Sequence, residues 1–308
     1  MRTATYSRVG PLEIKVDFQV PPSVKAGILP GLVFFHGGGM VAGSRTEYFE
    51  WASESALAKG MIFFTADYRL IHPSTGFDVV EDVRALFTFL ADPSFSETYL
   101  PDGIFLDITR LAAMGVSGGG YPARAAALYA QPKPNAVFLL YAMGGSFLSD
   151  HWLSVKHPTA SLVADNPIVA SQNADRIYLF GYWWRTGELL DHVLGEPVSS
   201  KLRALPPAER LTAIPTRLFP ALLEAQYDEF FPPTFLLHGD ADTTVLPEES
   251  QTTFDRLRAL GVTVEMEVVP GAPHGLFTSF SPLQFAPGAA EAQERGMTFL
   301  ARYLLGST

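Results

Sequence analysis

Short, mainly apolar runs recur along the chain, separated by longer stretches with helical spacing. The runs are Gly31-Leu32-Val33-Phe34-Phe35, residues 61–66, Leu111-Ala112-Ala113-Met114-Gly115, residues 136–140, residues 234–237 and residues 262–269. Runs of four to eight apolar residues suit strands buried on both faces. Ahead of them, Tyr6 to Val20 reads as two strands joined by Gly10-Pro11, because Leu12, Ile14, Val16 and Phe18 alternate with polar residues. Helical patterns fall at residues 46–59, 77–90, 118–130, 248–260 and 289–305. In the second, Val79, Val80, Val83, Leu86, Phe87 and Leu90 share one face; the third is rich in small residues; Gly261 caps the fourth. Strand and helix alternate, so the pattern predicts an α/β fold: a mostly parallel, eight-stranded sheet with helices on both faces.

The alternation breaks over residues 144–231. That stretch has helical patches and several aromatic residues, among them Trp152, Phe180, Tyr182, Trp183 and Trp184, but no clear strand. A structureless loop of that length inside a domain is unusual. The expectation is a helical cap inserted into a core made of residues 1–143 and 232–308.

Composition narrows the function. Of 308 residues, 47% are hydrophobic and 18% charged, which excludes a disordered chain. The formal charge is −10 and no dense Lys/Arg run occurs, so a nucleic-acid partner is not expected. Cysteine is absent, which removes disulfides, thiolate metal sites and a cysteine nucleophile. No apolar leader follows the polar start, and the apolar runs fall far short of a membrane span, so a cytoplasmic protein without stable membrane insertion is expected.

The chemistry is carried by Gly115-Val116-Ser117-Gly118-Gly119, a G-x-S-x-G pattern lying between an apolar strand and a helix. A sharp turn there lifts the serine hydroxyl above the sheet edge, and the helix start beneath it favours developing negative charge. A serine hydroxyl needs a base. Seven histidines are candidates: His36, His72, His151, His157, His192, His238 and His274. His274 follows the last strand in a Gly/Pro-rich loop, where it can reach the carboxyl edge. The base in turn needs an acid to fix its tautomer. Asp242 follows the strand at 234–237, with Asp240 as its rival. The order Ser117, acid, His274 is that of an α/β-hydrolase. His36-Gly37-Gly38-Gly39 follows the first core strand, where glycine amides can approach an oxyanion, and the N–H of Gly118 adds a third donor.

At this point the sequence resembles the hormone-sensitive-lipase-like, HGGG-type esterase and lipase branch of the α/β-hydrolases. The matching pieces, in the family's order, are His36-Gly37-Gly38-Gly39, Asp67-Tyr68-Arg69-Leu70, Glu81-Asp82-Val83, Gly115-Val116-Ser117-Gly118-Gly119, Pro233-Thr234 leading to His238-Gly239-Asp240-Ala241-Asp242, and His274-Gly275. The resemblance spans nearly the whole chain. It implies a carboxylic ester hydrolase with Ser117 as nucleophile, His274 as base and acid, and Asp242, rather than Asp240, as orienting acid. It places the oxyanion donors on Gly38, Gly39 and Gly118, and it implies no metal and no organic cofactor. The sequence departs from the family at the elbow, where Val116 and Gly118 flank the serine in place of Asp and Ala. It also departs at Ile71-His72-Pro73-Ser74, which lacks the family's acidic residue.

The remaining expectations concern substrate. Met40, Trp183 and Trp184 are candidate contacts for a small or medium apolar ester, with core packing as the alternative for each. Arg69 and Asp67 are expected to form a structural ion pair. Acyl transfer, amide hydrolysis or lactone chemistry would use the same triad. A non-catalytic small-molecule receptor of this fold would not need His274. A homodimer is compatible with the sequence.

Overall fold

The structure, a computed structural model, describes residues 1–156, 176–280 and 283–306. Among them, eight strands form one sheet: β1 (Arg2–Val9), β2 (Leu12–Gln19), β3 (Gly27–Phe35), β4 (Ile62–Ala66), β5 (Ile104–Val116), β6 (Ala136–Leu140), β7 (Thr234–Gly239) and β8 (Val264–Val269). Their order is β1-β2-β4-β3-β5-β6-β7-β8. β1 pairs antiparallel with β2 and β2 with β4, while β3 to β8 pair in parallel.

Alternate residues of the parallel strands feed two cores. Val33, Phe35, Ala113, Leu139 and Leu236 face one side. There they meet α2 (Gly76–Ala91), α4 (Gly120–Tyr129) and α10 (Glu248–Ala259). Leu32, Phe34, Met114, Phe138 and Leu237 face the other. That side is covered by α1 (Glu50–Ala58) and α11 (Ala289–Leu305). This two-sided burial is why the strands read as continuous apolar runs.

Four elements differ from the sequence expectation. α1 begins at Glu50, not Thr46. Residues 44–47 instead form a turn in which Glu47 N–H donates to the Ser44 carbonyl at 2.9 Å, and the Arg45 N–H donates to Asp67 at 2.8 Å. β5 is longer than its apolar run, because its first half is partly exposed and so carries polar residues. A short helix, α3 (Pro93–Tyr99), follows α2; Asp92 caps it by accepting from the Ser94 N–H at 2.8 Å. A small hairpin, β9 (Phe277–Phe280) with β10 (Leu283–Phe285), follows His274.

Between β6 and β7 the described residues contain no strand. They form α5 (Asp150–Leu153), α6 (Ile177–Thr186), α7 (Leu189–Leu194), α8 (Ser199–Arg203) and α9 (Pro207–Ala213), then two 3-10 turns. Among the described residues no helix is long and apolar enough to cross a membrane.

The order of strands reverses at β3, which has β4 on one side and β5 on the other. In open parallel sheets such a switch point opens a crevice at the carboxyl ends of the strands. Register aligns those ends. Phe35 pairs with Gly115, Val116 with Leu140, and Gly239 with Val269, so the residues that follow each strand emerge along one edge.

Arg69 and Asp67 do not pair with each other. Each is held by a closer partner: Asp67 accepts from Arg45 at 2.8 Å, and Arg69 reaches Asp82 at 2.9 Å and Asp78 at 2.7 Å. Asp82 is buried, and burial pushes its carboxyl upward more strongly than the Arg69 hydrogen bonds pull it down. Removing one partner of such a pair strands the other charge. Arg69→Met is expected to cost about 3 kcal/mol at pH 7 in urea denaturation. The loss should shrink on acidification, as the abandoned Asp82 takes up a proton. Arg295→Met, which breaks an exposed pair with Glu267, should leave the denaturation midpoint unchanged.

Candidate active site

Ser117 sits where β5 ends and the helical turn before α4 begins. Its φ is +51°, a left-handed conformation that costs a non-glycine residue of the order of 1–2 kcal/mol. The surroundings enforce it. A Cβ on Gly115 would collide with the Gly119 carbonyl and the Ala123 side chain, and one on Gly119 with the carbonyls of Phe35 and His36. The Ser117 carbonyl is in turn fixed by the Met143 N–H at 2.9 Å. The elbow is therefore tight because strand, turn and helix pack with no side chain between them.

The hydroxyl of Ser117 lies 2.9 Å from His274 Nε2, and His274 Nδ1 lies 2.7 Å from Asp242 Oδ2. An ionised carboxylate only accepts, so Nδ1 carries the proton and Nε2 offers its lone pair to the serine. Asp242 Oδ1 accepts from the N–H groups of Thr244 at 2.9 Å and Val245 at 3.0 Å. Asp240 is placed elsewhere: its side chain accepts from the Gly271 N–H at 2.5 Å.

Behind Asp242 lies His238, which the sequence reading offered only as a possible base. It is fully buried, with Nε2 at 2.8 Å from the Val245 carbonyl and 3.2 Å from Asp242 Oδ2, and Nδ1 at 2.7 Å from Ser250 Oγ. The carbonyl can only accept, so Nε2–H donates and Nδ1 accepts from the serine. Burial by itself pushes the Asp242 carboxyl up, but hydrogen bonds from His238 and then His274 outweigh it and bring the pKa down to about 2.

The three-glycine loop faces the elbow. The Gly38 carbonyl accepts from Val41 and Ala42 N–H, both at 3.0 Å, and the Gly37 carbonyl accepts from His36 Nδ1 at 2.9 Å. In a trans peptide the N–H points opposite to the carbonyl. The N–H groups of Gly38 and Gly39 therefore point away from those partners, and Gly39 N comes within 2.7 Å of a Cβ position on Gly118. Gly118 lies in the first turn after Ser117, where N–H groups have no helical partner. His36 supports the loop from below; burial holds its pKa down at about 4, so it is neutral at pH 7.

A cavity of about 680 Å³ opens beside these groups, lined by Ser117, His274, Gly37, Gly38, Gly39 and a mainly aromatic wall. Ile177, Phe180, Gly181 and Trp184 of α6 line it at i, i+3, i+4 and i+7, and Tyr178 in the first turn widens that face. That phase explains which candidate contacts fall in the cavity. Trp184 does. Trp183 lies a quarter turn away and stacks on His192, with centroids 3.7 Å apart. Met40 is fully buried in the core on the α2 and α4 side and does not line the cavity either.

Tyr48, Phe49, Tyr141, Tyr178, Thr244 and Phe277 line it without having been singled out from sequence. Tyr141 was findable, because it directly follows a predicted core strand. His72 packs against Trp183 and His192, and His151 lies 2.9 Å from the Thr244 carbonyl. His157 lies outside the described residues.

Comparison with known proteins gives a consistent picture. A family model described as alpha/beta hydrolase fold matches residues 32–214, and one described as prolyl oligopeptidase family matches residues 219–285. The chain is 31% identical over 255 residues to the probable carboxylesterase M8 of a Phoma species, covering 78% of this chain and 76% of that protein. It is 27% identical over 308 residues to carboxylesterase NlhH of Mycobacterium tuberculosis, covering 98% and 82%. It also matches a segment of the non-reducing polyketide synthase pkbA of Emericella nidulans at 25% identity, spanning 14% of that protein. Among solved structures, esterase 2 of Thermogutta terrifontis, phosphoramylated by tabun, shares the fold with a TM-score of 0.63 at 19% identity, covering 99% of this chain and 93% of that one.

The depressed Asp242 carboxyl makes a stability prediction. Its folded pKa lies below the unfolded value of about 3.9, so its contribution is complete above about pH 4 and is lost as pH falls toward 2. Between pH 5 and pH 3, wild type should lose roughly 1 kcal/mol more unfolding free energy than Asp242→Asn. Parallel pH curves for the two proteins would show that the carboxylate is not held in this way.

Proposed function

The chain belongs to the alpha/beta hydrolase family and is a carboxylic ester hydrolase, and from that premise we propose that Ser117 is its nucleophile, His274 its general base and acid, and Asp242 the orienting acid. The observation that carries the reading is the continuous relay from Asp242 through His274 to the Ser117 hydroxyl, ending at the wall of an open aromatic cavity.

In this mechanism the serine proton passes to His274 Nε2 as Oγ bonds to the ester carbonyl carbon. The carbonyl oxygen becomes an oxyanion and receives the N–H groups of Gly38, Gly39 and Gly118. Each such donor is typically worth about 3–4 kcal/mol in the transition state. The imidazolium is stabilised by Asp242, then gives its proton to the leaving alkoxide as the carbon–oxygen bond breaks. Water attacks the acyl-enzyme by the same route, losing its proton to His274 and releasing the acid and Ser117.

The insert of residues 144–231 acts as the cap of this site, since α6 supplies one wall of the cavity. The cavity volume and its apolar lining favour a small or medium ester over a long triglyceride chain.

An ester panel tests the assignment. Ser117→Ala should reduce kcat by a factor on the order of 10⁶ and abolish labelling by a fluorophosphonate. Asp242→Asn should keep labelling slow but measurable and reduce kcat by about 10⁴, because an amide in that place favours the wrong imidazole tautomer. Full turnover by Ser117→Ala would refute the mechanism.

A further inference from the structure

The electrostatics of the cavity are one-sided. Apart from His274, Glu47 is the only ionisable carboxylate, lysine or arginine among the described residues that line it. Glu47 is exposed, in the turn between the glycine loop and α1, and its carboxylate has no hydrogen-bond or ion-pair partner among the described residues. Its negative charge is therefore not neutralised locally. The nearby cations are committed elsewhere. Arg45 pairs with Asp17 and Asp67. Arg176 donates to the carbonyls of Val41, Ile71 and His72. Lys156 donates to three carbonyls and covers a face of Trp184 from outside the cavity, where burial pulls its pKa down to about 8.

The remaining walls carry aromatic rings, including Tyr48, Phe49, Tyr178, Phe180 and Phe277. Aromatic faces attract an ammonium through the ring quadrupole and repel a carboxylate. A carboxylate at the rim acts in the same sense and at longer range.

We propose that this cavity selects esters bearing a cationic group, such as a quaternary ammonium, over anionic esters of the same size, with Glu47 as the specificity-determining charge. The inference deepens the ester-hydrolase reading and rests on it. Ser117 still does the chemistry; Glu47 sets which acyl or alcohol group dwells beside it.

Three aryl acetates that differ in one meta substituent provide the test: trimethylammonio, tert-butyl, which has the same shape without the charge, and carboxylate. In low-salt buffer, Glu47→Gln should lower kcat/KM for the cationic ester about tenfold relative to its tert-butyl isostere, and raise it several-fold for the anionic ester. In 0.5 M NaCl the wild-type preference should largely flatten, because screening then acts over a few ångströms. Glu47→Lys should invert the order. The proposal is overturned if Glu47→Gln changes all three esters by one common factor, as a structural effect would, or if the cation-to-isostere ratio stays within twofold of wild type. Binding of phenyltrimethylammonium to Ser117→Ala protein, followed by tryptophan fluorescence with and without Glu47→Gln, reads the charge effect without turnover. A protein that hydrolyses none of the esters would sink the hydrolase reading, while that titration would still decide the role of Glu47.

Discussion

One buried negative charge organises the site. Taking the Asp242 carboxylate out of water costs several kcal/mol. It is met by three hydrogen bonds, from the Thr244 and Val245 amides and the His274 ring, with His238 Nε2 3.2 Å away. Hydrogen bonds to a charged group contribute about 1.5–3 kcal/mol each, so the three, with the nearby His238 dipole, offset the penalty and the carboxylate stays ionised. The remaining proton positions then follow. An ionised Asp242 requires a proton on His274 Nδ1, which leaves Nε2 bare for Ser117. A neutral acid at this place would remove that requirement, and the serine could face an N–H instead of a lone pair.

The first turn of α10 ties this charge to the insert. Ser250 holds His238 against Asp242. Its neighbour Glu249 accepts from the Gly145 and Ser146 amides at 2.6 and 3.0 Å and from the Trp152 indole, where the chain leaves the sheet after β6. Glu224 closes the same junction by accepting from the Phe147 amide at 2.6 Å; burial, followed by the charge of Glu249, pushes its pKa up to about 7. The backing of the relay and the root of the proposed cap are thus consecutive residues of one helix.

The sheet was legible in the sequence because strands buried within it leave apolar runs: β3 to β8 fall at the six runs, and β1 and β2 fall where apolar and polar residues alternate. The relay was legible because each of its members lies at or just beyond the carboxyl end of a strand, and parallel strands end along one edge. Two kinds of feature were not legible. Side-chain direction on α6 depends on where the helix is set against the sheet, so four aromatic residues within five positions gave no way to separate Trp184 from Trp183. Met40 illustrates the same limit: the loop takes a left-handed conformation there, φ +65°, and the side chain enters the core instead of the cavity. Residues 46–49 look helical by spacing, yet they continue a turn that Arg45 anchors to Asp67 and Asp17, and that turn supplies both Tyr48 and Glu47 to the cavity.

Reactivity and selectivity therefore rest on different parts of the fold. Ser117, the glycine loop and the Asp242 turn are indexed by strand register and by contacts that admit no Cβ, so their relative positions are over-determined. That redundancy is what lets Ser117 keep a left-handed backbone at a cost of a kilocalorie or two. The aromatic wall of α6 and the charge of Glu47 lie outside that strand-end framework, and α6 meets it closely at one point, where Phe180 packs so tightly on Gly39 that a Cβ there would clash. A substitution there can change which group is held beside the serine without moving the relay, whereas no change at Gly115 or Gly119 can be local. The same separation explains why the elbow and the glycine loop can be read from a short pattern, while the cavity's preference becomes visible only once the side chains that face it are placed.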